Sequence, residues 1–337
     1  MEKHRQKLSN RKTNVNRLSI SKITRSLNYK SLRLLNIGLH QLEISTNKVS
    51  NTQLSYPPIF IIGAPRSGST LLYQVLTDYY DVGYLSNFHA KFYGAPSIVE
   101  RLFHPLKWHQ KSDYTSYHGR TEGWLAPGEC GQFWYRFFRR KPVYVPLVEA
   151  NPEKLSQLRT SIQCLGNAFG KPILFKNLYC SLRLQAIAKA LPESLFIVIH
   201  RNMVDNGHSL LAGRKKVYGN YHTWWSAEPP AIDKLRTLPP HEQVIEQIRH
   251  IYGVIEQDKQ VIGTERFLDL SYEELCDHSH NVLDKITMFF DSHELRIKNL
   301  IDISRIPTTF PRSTGITIDK NLYDKMLQYV ESKSILF

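Results

Sequence analysis

The sequence predicts an α/β fold of three layers with a central parallel sheet. Three observations predict it. Short apolar runs recur at Pro58–Ile62, Lys171–Lys176, Leu195–Ile199 and Phe267–Leu270, the length and composition of buried strands. Stretches with helical apolar spacing lie between them: Thr70–Tyr80, Ser181–Ala190, Glu242–Val261 and Val282–Phe290. Strands that alternate with helices call for crossover connections and parallel pairing. Finally, the first run ends in Gly63 and continues "APRSGST", a tight turn into a helix start.

Taken in order, residues 1–50 stand apart. Ten Lys or Arg fall before residue 34, with Glu2 the one acid. Such a segment builds no packed core of its own. From Tyr29 to Leu42 the leucines at 32, 35, 39 and 42 give a weakly amphipathic helix, which fits either the main domain or a membrane surface. The alternative is a solvated basic arm. Residues 51–337 form the main domain. In it, Leu195–Ile199 is the clearest buried strand, and Pro192 marks the turn before it. There is no internal repeat.

Composition narrows the classes. The chain has 337 residues, enough for one large domain. Lys plus Arg number 44 against 30 Asp plus Glu, which favours an anionic partner without naming it. The basic residues match no nucleic-acid module, so nucleic acid is not the expected partner. Four cysteines with no CxxC argue against a disulfide framework or a zinc site and for a reducing compartment. No run of about 18 apolar residues suggests a membrane span, and no apolar stretch follows the basic N-terminus as a secretory signal requires. The expected location is cytoplasmic, with peripheral membrane contact through the basic arm.

The turn after the first strand carries the chemistry. Amides at Ser67 to Thr70 would converge at a helix N-terminus, which binds an oxyanion through its N–H groups and its dipole. Ser67, Ser69 and Thr70 add hydroxyls, and Arg66 adds charge. A nucleotide triphosphatase loop carries a lysine where Ser69 stands, and needs an acid after a later strand to hold Mg²⁺. Here the clearest later strand ends in His200-Arg201. A cation there repels a metal and attracts a phosphate, so the anion held needs no magnesium, and no metal site is expected.

These residues resemble a known family. "PRSGST" after a strand looks like the 5′-phosphosulfate loop of sulfotransferases that use 3′-phosphoadenosine 5′-phosphosulfate (PAPS). In "FIVIHRNMVDNGHSLLAGR", Arg201 and Ser209 stand eight apart, similar to that family's strand-end Arg and helical Ser for the 3′-phosphate. "FLDLSYEEL" with the helix after it, and "KPILFKN", also look like family elements. The resemblance covers about Pro57 to Phe290. It implies a P-loop NTPase-like sulfotransferase fold and transfer of a sulfuryl group from PAPS, as co-substrate, to an acceptor hydroxyl. It implies that Arg66, Ser67, Gly68, Ser69 and Thr70 hold the sulfate end, with Arg66 catalytic on the leaving oxygen. Arg201 and Ser209 would hold the 3′-phosphate. Arginine at position 66 fits the carbohydrate-type and bacterial-type branches better than the cytosolic one. The cytosolic branch's C-terminal Gly-x-x-Gly-x-x-Lys is absent; "FPRST" would replace it with Arg312 near the 3′-phosphate, or is a plain loop.

A general base must take the acceptor's proton. His89, Glu122 and Glu129 are the candidates, and Glu129, in the punctuated "TEGWLAPGECGQFW", is favoured narrowly over His89. Tyr79 to Phe138 holds 16 of the chain's 38 aromatic residues. They either line an acceptor site or are core. The long interval points to an acceptor-binding insertion at about 81–170, with a carbohydrate or glycolipid as acceptor. The competing readings are an atypical P-loop kinase and a non-catalytic nucleotide-binding protein.

Overall fold

The structure is a computed structural model and describes residues 30–43, 45, 53–103, 110–116, 119–312 and 315–334. Five parallel strands form one sheet: β1 (Ile59–Gly63), β2 (Gly83–Tyr84), β3 (Ile173–Lys176), β4 (Leu195–His200) and β5 (Phe267–Ser271), in the order β2-β3-β1-β4-β5. All four predicted strands are present. The helices are α1 (30–43), α2 (Ser69–Tyr79), α3 (Pro96–Phe103), α4 (Gly131–Trp134), α5 (Pro152–Phe169), α6 (Leu184–Ala190), α7 (Met203–Tyr218), α8 (Ile232–Leu235), α9 (Pro240–Ile262), α10 (Tyr272–Asp277), α11 (Ser279–Ser292) and α12 (Lys320–Ser334).

The strands alternate their side chains between two cores, which makes the three layers. Phe60, Ile62, Phe175, Phe196 and Val198 join one core with residues of α5, α6, α7 and α9. Ile59, Ile61, Leu174, Ile197 and Ile199 join the other with residues of α2, α10 and α11. Strands buried on both faces read as unbroken apolar runs, which is why they were visible in the sequence. The register lines up Phe175, Phe60, Phe196 and Phe267 across four strands, with ring centroids 5.3, 5.6 and 4.7 Å apart. Such offset pairs contribute about 0.5–1.5 kcal/mol each beyond area burial.

The strand order places the site. The chain builds β1, β2 and β3 on one side, then crosses to lay β4 against the other edge of β1. The carboxyl ends of β1 and β4 therefore flank a switch point, where open parallel sheets bind ligands.

Helix α5 was not expected from the sequence, although its end signals are plain. Asn151 caps it by accepting from the Lys154 amide at 3.0 Å, Pro152 opens it, and left-handed Gly170 closes it. Within the stretch 81–170, β2 joins the sheet and α5 covers it, with α3 and α4 between them.

Helix α1 docks on this frame through polar residues. Glu43 is buried and accepts from Arg136 Nη2 at 2.6 Å, Ser97 Oγ at 2.7 Å and Ser161 Oγ at 3.2 Å. Arg136 Nη2 also meets His40 Nδ1 at 2.6 Å. The expected helix at 29–42 is thus present at 30–43 and lies on the main domain; residues 1–29 fall outside the described residues. Among the described residues no helix is long and apolar enough to cross a membrane. The four cysteines are free and buried.

Candidate active site

The loop after β1 is held by contacts that only glycine permits at two positions. A Cβ on Gly63 (φ 150°) would lie 2.7 Å from the Ile199 carbonyl oxygen. A Cβ on Gly68 (φ 93°) would lie 2.1 Å from the Tyr272 ring. So the loop threads between β4 and α10 at backbone distance. Ser181 Oγ fastens its start, accepting from the Gly63 amide and donating to the Gly63 carbonyl, both at 3.0 Å. Helix α2 then begins at Ser69, and its first-turn amides have no acceptor within the helix.

Arg66 and Arg201 converge above this loop. Arg201 directly follows β4; its guanidinium lies 4.6 Å over the Tyr272 ring, and Nη1 donates to the Arg66 carbonyl oxygen at 3.1 Å. Arg66 Nε donates to Ser209 Oγ at 3.1 Å. Ser209 reaches the site because Asn202 caps α7, accepting from the Val204 and Asp205 amides, and the helix carries position 209 back over the loop. Burial, and then the charge of Arg201, push the Arg66 pKa down. Two guanidinium groups drawn together out of water are electrostatically poor company until an anion joins them.

A cavity of 1360 Å³ opens at this point and contains Arg66, Gly68, Ser69, Thr70, Arg201 and Ser209 in its wall. That exceeds the roughly 300–1,000 Å³ of a pocket for one drug-sized ligand. Ser67 is the exception among the loop residues. It is fully buried, its amide donates to the Ala64 carbonyl at 3.3 Å, and it lines no part of the cavity.

Of the three candidate bases, Glu129 is in the cavity wall. Cys130 in left-handed conformation (φ 48°) turns the chain there, and Asn177 Nδ2 donates to the Glu129 carbonyl at 3.1 Å. His89 is not brought there. It is 6% exposed, with Nδ1 2.9 Å from Ser86 Oγ and Nε2 3.3 Å from Glu100, so its ring braces the segment behind the wall. Glu122 is exposed and also outside the wall. Arg312 is ion-paired with Asp277 on the surface; its neighbours Phe310 and Pro311 face the cavity instead.

The residue that sequence reasoning missed is Lys176. It ends β3, its side chain is 2% exposed, and Nζ donates to Thr70 Oγ1 at 3.0 Å and to Glu129. One ammonium thus joins the anion loop to the carboxylate. A lysine closing an apolar strand of a parallel sheet was the available signal, since strand ends point at the ligand crevice. Among the described residues no group of three or more His, Cys, Asp or Glu is placed to hold a metal ion.

Comparison with known proteins assigns the family. The model described as "Sulfotransferase family" matches residues 57–293. An omega-hydroxy-beta-dihydromenaquinone-9 sulfotransferase, Stf3, of Mycobacterium bovis is 24% identical over 278 residues, covering 77% of this chain and 69% of the relative. The Mycobacterium tuberculosis protein of that name gives the same figures. Among solved structures, sulfotransferase STF9 from Mycobacterium avium matches with a TM-score of 0.48 at 14% identity, covering 83% of this chain and 69% of that one. STF1 from Mycobacterium tuberculosis matches with a TM-score of 0.47 at 15% identity, covering 77% and 73%. The chain belongs to the sulfotransferase family and is an enzyme of that type.

Proposed function

We propose that the enzyme transfers a sulfuryl group from PAPS to a hydroxyl on an acceptor with an apolar body, a glycolipid or hydroxylated lipid. The observation that carries the donor assignment is the convergence of Arg66, Arg201 and Ser209 with the N-terminus of α2. In this reading the cluster offers two neighbouring anion sites, as a nucleotide with phosphates at both 3′ and 5′ positions requires. PAPS supplies an activated sulfuryl group bonded to the 5′-phosphate. In this reading the α2 amides, Ser69, Thr70 and Arg66 hold the sulfate end, while Arg201 and Ser209 hold the 3′-phosphate. Arg66 stabilises the charge that develops on the leaving oxygen. Glu129, whose side chain is 41% exposed, takes the acceptor's proton. Lys176 orients Glu129 and Thr70 together.

The acceptor reading rests on the rest of the wall. Tyr135, Tyr179, Tyr218, Trp224 and Trp225 line it, with Arg140 and Lys141 among them. Aromatic faces suit an apolar or glycosidic body. The relatives named above carry an omega-hydroxy compound in their names. Residues 51–337 form the catalytic unit in this reading, the irregular stretch after β2 shapes the acceptor side, and the enzyme works in a reducing compartment at a membrane surface.

The test is calorimetric titration with adenosine 3′,5′-bisphosphate without magnesium, beside ATP with magnesium. The bisphosphate is expected to bind at about micromolar Kd or tighter and ATP far more weakly. Stronger binding of ATP with magnesium, or no binding of either, would sink the PAPS assignment.

A further inference from the structure

Helix α1 buries polar residues and exposes apolar ones. Its polar residues Asn36 and Glu43 are 1% and 2% exposed. Asn36 Nδ2 donates to the Lys91 carbonyl at 2.9 Å, Asn36 Oδ1 accepts from the Gly94 amide at 2.7 Å, and Glu43 is bound by Arg136, Ser97 and Ser161. Four of its apolar residues are exposed, Leu34 70%, Leu35 49%, Ile37 51% and Leu42 47%, while Leu32 and Leu39 are half-buried. At 3.6 residues per turn these four occupy the half of the helix opposite Asn36 and Glu43. Four large apolar side chains on one outward face form a patch that water does not favour and that a partner would cover.

Charge selects the partner. Lys30 and Arg33 are exposed on the same helix, and the first 33 residues carry ten Lys or Arg against Glu2 alone. A second copy of the chain would bring two such basic segments together, which repel. Nucleic acid would answer the charge but leave the leucines wet. An anionic bilayer answers both, because its phosphates attract the basic residues and its acyl boundary takes the apolar face.

We propose that α1 is a docking helix for an anionic membrane surface. Leu34, Leu35, Ile37 and Leu42 enter the headgroup–acyl boundary, and Lys30 and Arg33 contact lipid phosphates. The docking helix is tied to the cavity wall, since Arg136, which binds Glu43, is the neighbour of wall residue Tyr135. The proposal stands whichever acceptor is sulfated.

The test is co-sedimentation of the full chain with vesicles of phosphatidylcholine alone, or with about one-third phosphatidylglycerol, at about 0.1 and about 0.5 M salt. The wild type is expected to bind the anionic vesicles and to retain part of that binding at high salt. Leu34→Gln with Ile37→Gln, which leaves the charge unchanged and alters two exposed side chains, should weaken partitioning about tenfold or more. Its circular dichroism should match the wild type. Equal binding by wild type and variant, with complete loss at high salt, would show that charge alone acts and overturn the role of α1. So would no binding to either vesicle, or a wild-type dimer in the absence of lipid that the variant abolishes.

Discussion

Arg201 Nη1 donates to the backbone carbonyl of Arg66 at 3.1 Å, while Arg66 holds a left-handed backbone at φ 69°. One arginine therefore fixes the strained main chain that aims the other. For a residue with a Cβ, that conformation costs on the order of 1 kcal/mol. The surrounding contacts hold it, and the strain lies where the anion loop turns.

That link makes Arg201 responsible for more than charge. Arg201→Ala is expected to weaken adenosine 3′,5′-bisphosphate binding by about 2 kcal/mol or more, roughly thirtyfold. Arg201→Lys keeps the charge but lacks the planar fork needed to hold a carbonyl and a phosphate together. It should recover less than half of the lost binding energy in calorimetry. Full recovery by lysine would mean that the carbonyl contact is unimportant.

Gly68 tests the packing of the loop. In Gly68→Ala the new methyl meets Tyr272 and the backbone remains at φ 93°. We expect stability to fall by about 2 kcal/mol and bisphosphate binding to fall with it. Adding Tyr272→Ala should relieve the collision but not the backbone strain, so thermal melting should show partial rescue only.

Glu129 and His89 separate by kinetics. Glu129→Gln should lower kcat by about 100-fold or more in single-turnover transfer from radiolabelled PAPS, with bisphosphate affinity little changed. Lys176→Met should damage both, since Nζ touches Thr70 as well as Glu129. His89→Gln should leave kcat within a few-fold of wild type. A His89 variant as inactive as the Glu129 variant would return the histidine to the mechanism.

The docking of α1 should weaken in acid. His40 lies against Arg136, and burial, with the charges of Arg136 and Lys154 behind it, lowers its pKa to about 4. A histidine so depressed is neutral when docked and takes up a proton when released. Its contribution to docking is therefore complete above its ordinary pKa of about 6.5 and lost as pH falls from there towards 4. Protection factors over residues 30–43, corrected for the intrinsic exchange rate at each pH, should fall between about pH 7 and pH 5, and His40→Gln should flatten that dependence. Separately, Glu43→Ala leaves the buried Arg136 charge without its carboxylate and should cost about 3 kcal/mol.

The sequence by itself determined the layered α/β fold. Parallel strands buried on both faces must be continuously apolar, so "IFIIG" and "LFIVIH" announce themselves without an alignment. Gly63 and Gly68 marked the loop because only glycine tolerates its φ angles and close contacts. The pairing of Arg201 with Ser209 was legible through the resemblance to the sulfotransferase family's strand-end Arg and helical Ser, eight residues apart. What only the tertiary structure decided was which side chains share one cavity. His89 and Glu129 looked alike in the chain, yet packing turned the first toward Ser86 and Glu100 and the second toward Lys176. Ser67 read as a ligand until burial placed it under the loop, and Lys176 read as the end of a strand. Helix α1 needed the structure for the same reason. Its buried polar face is stabilised by Arg136, Ser97 and Ser161, partners dozens of residues away, and local periodicity carries no information about contacts at that distance.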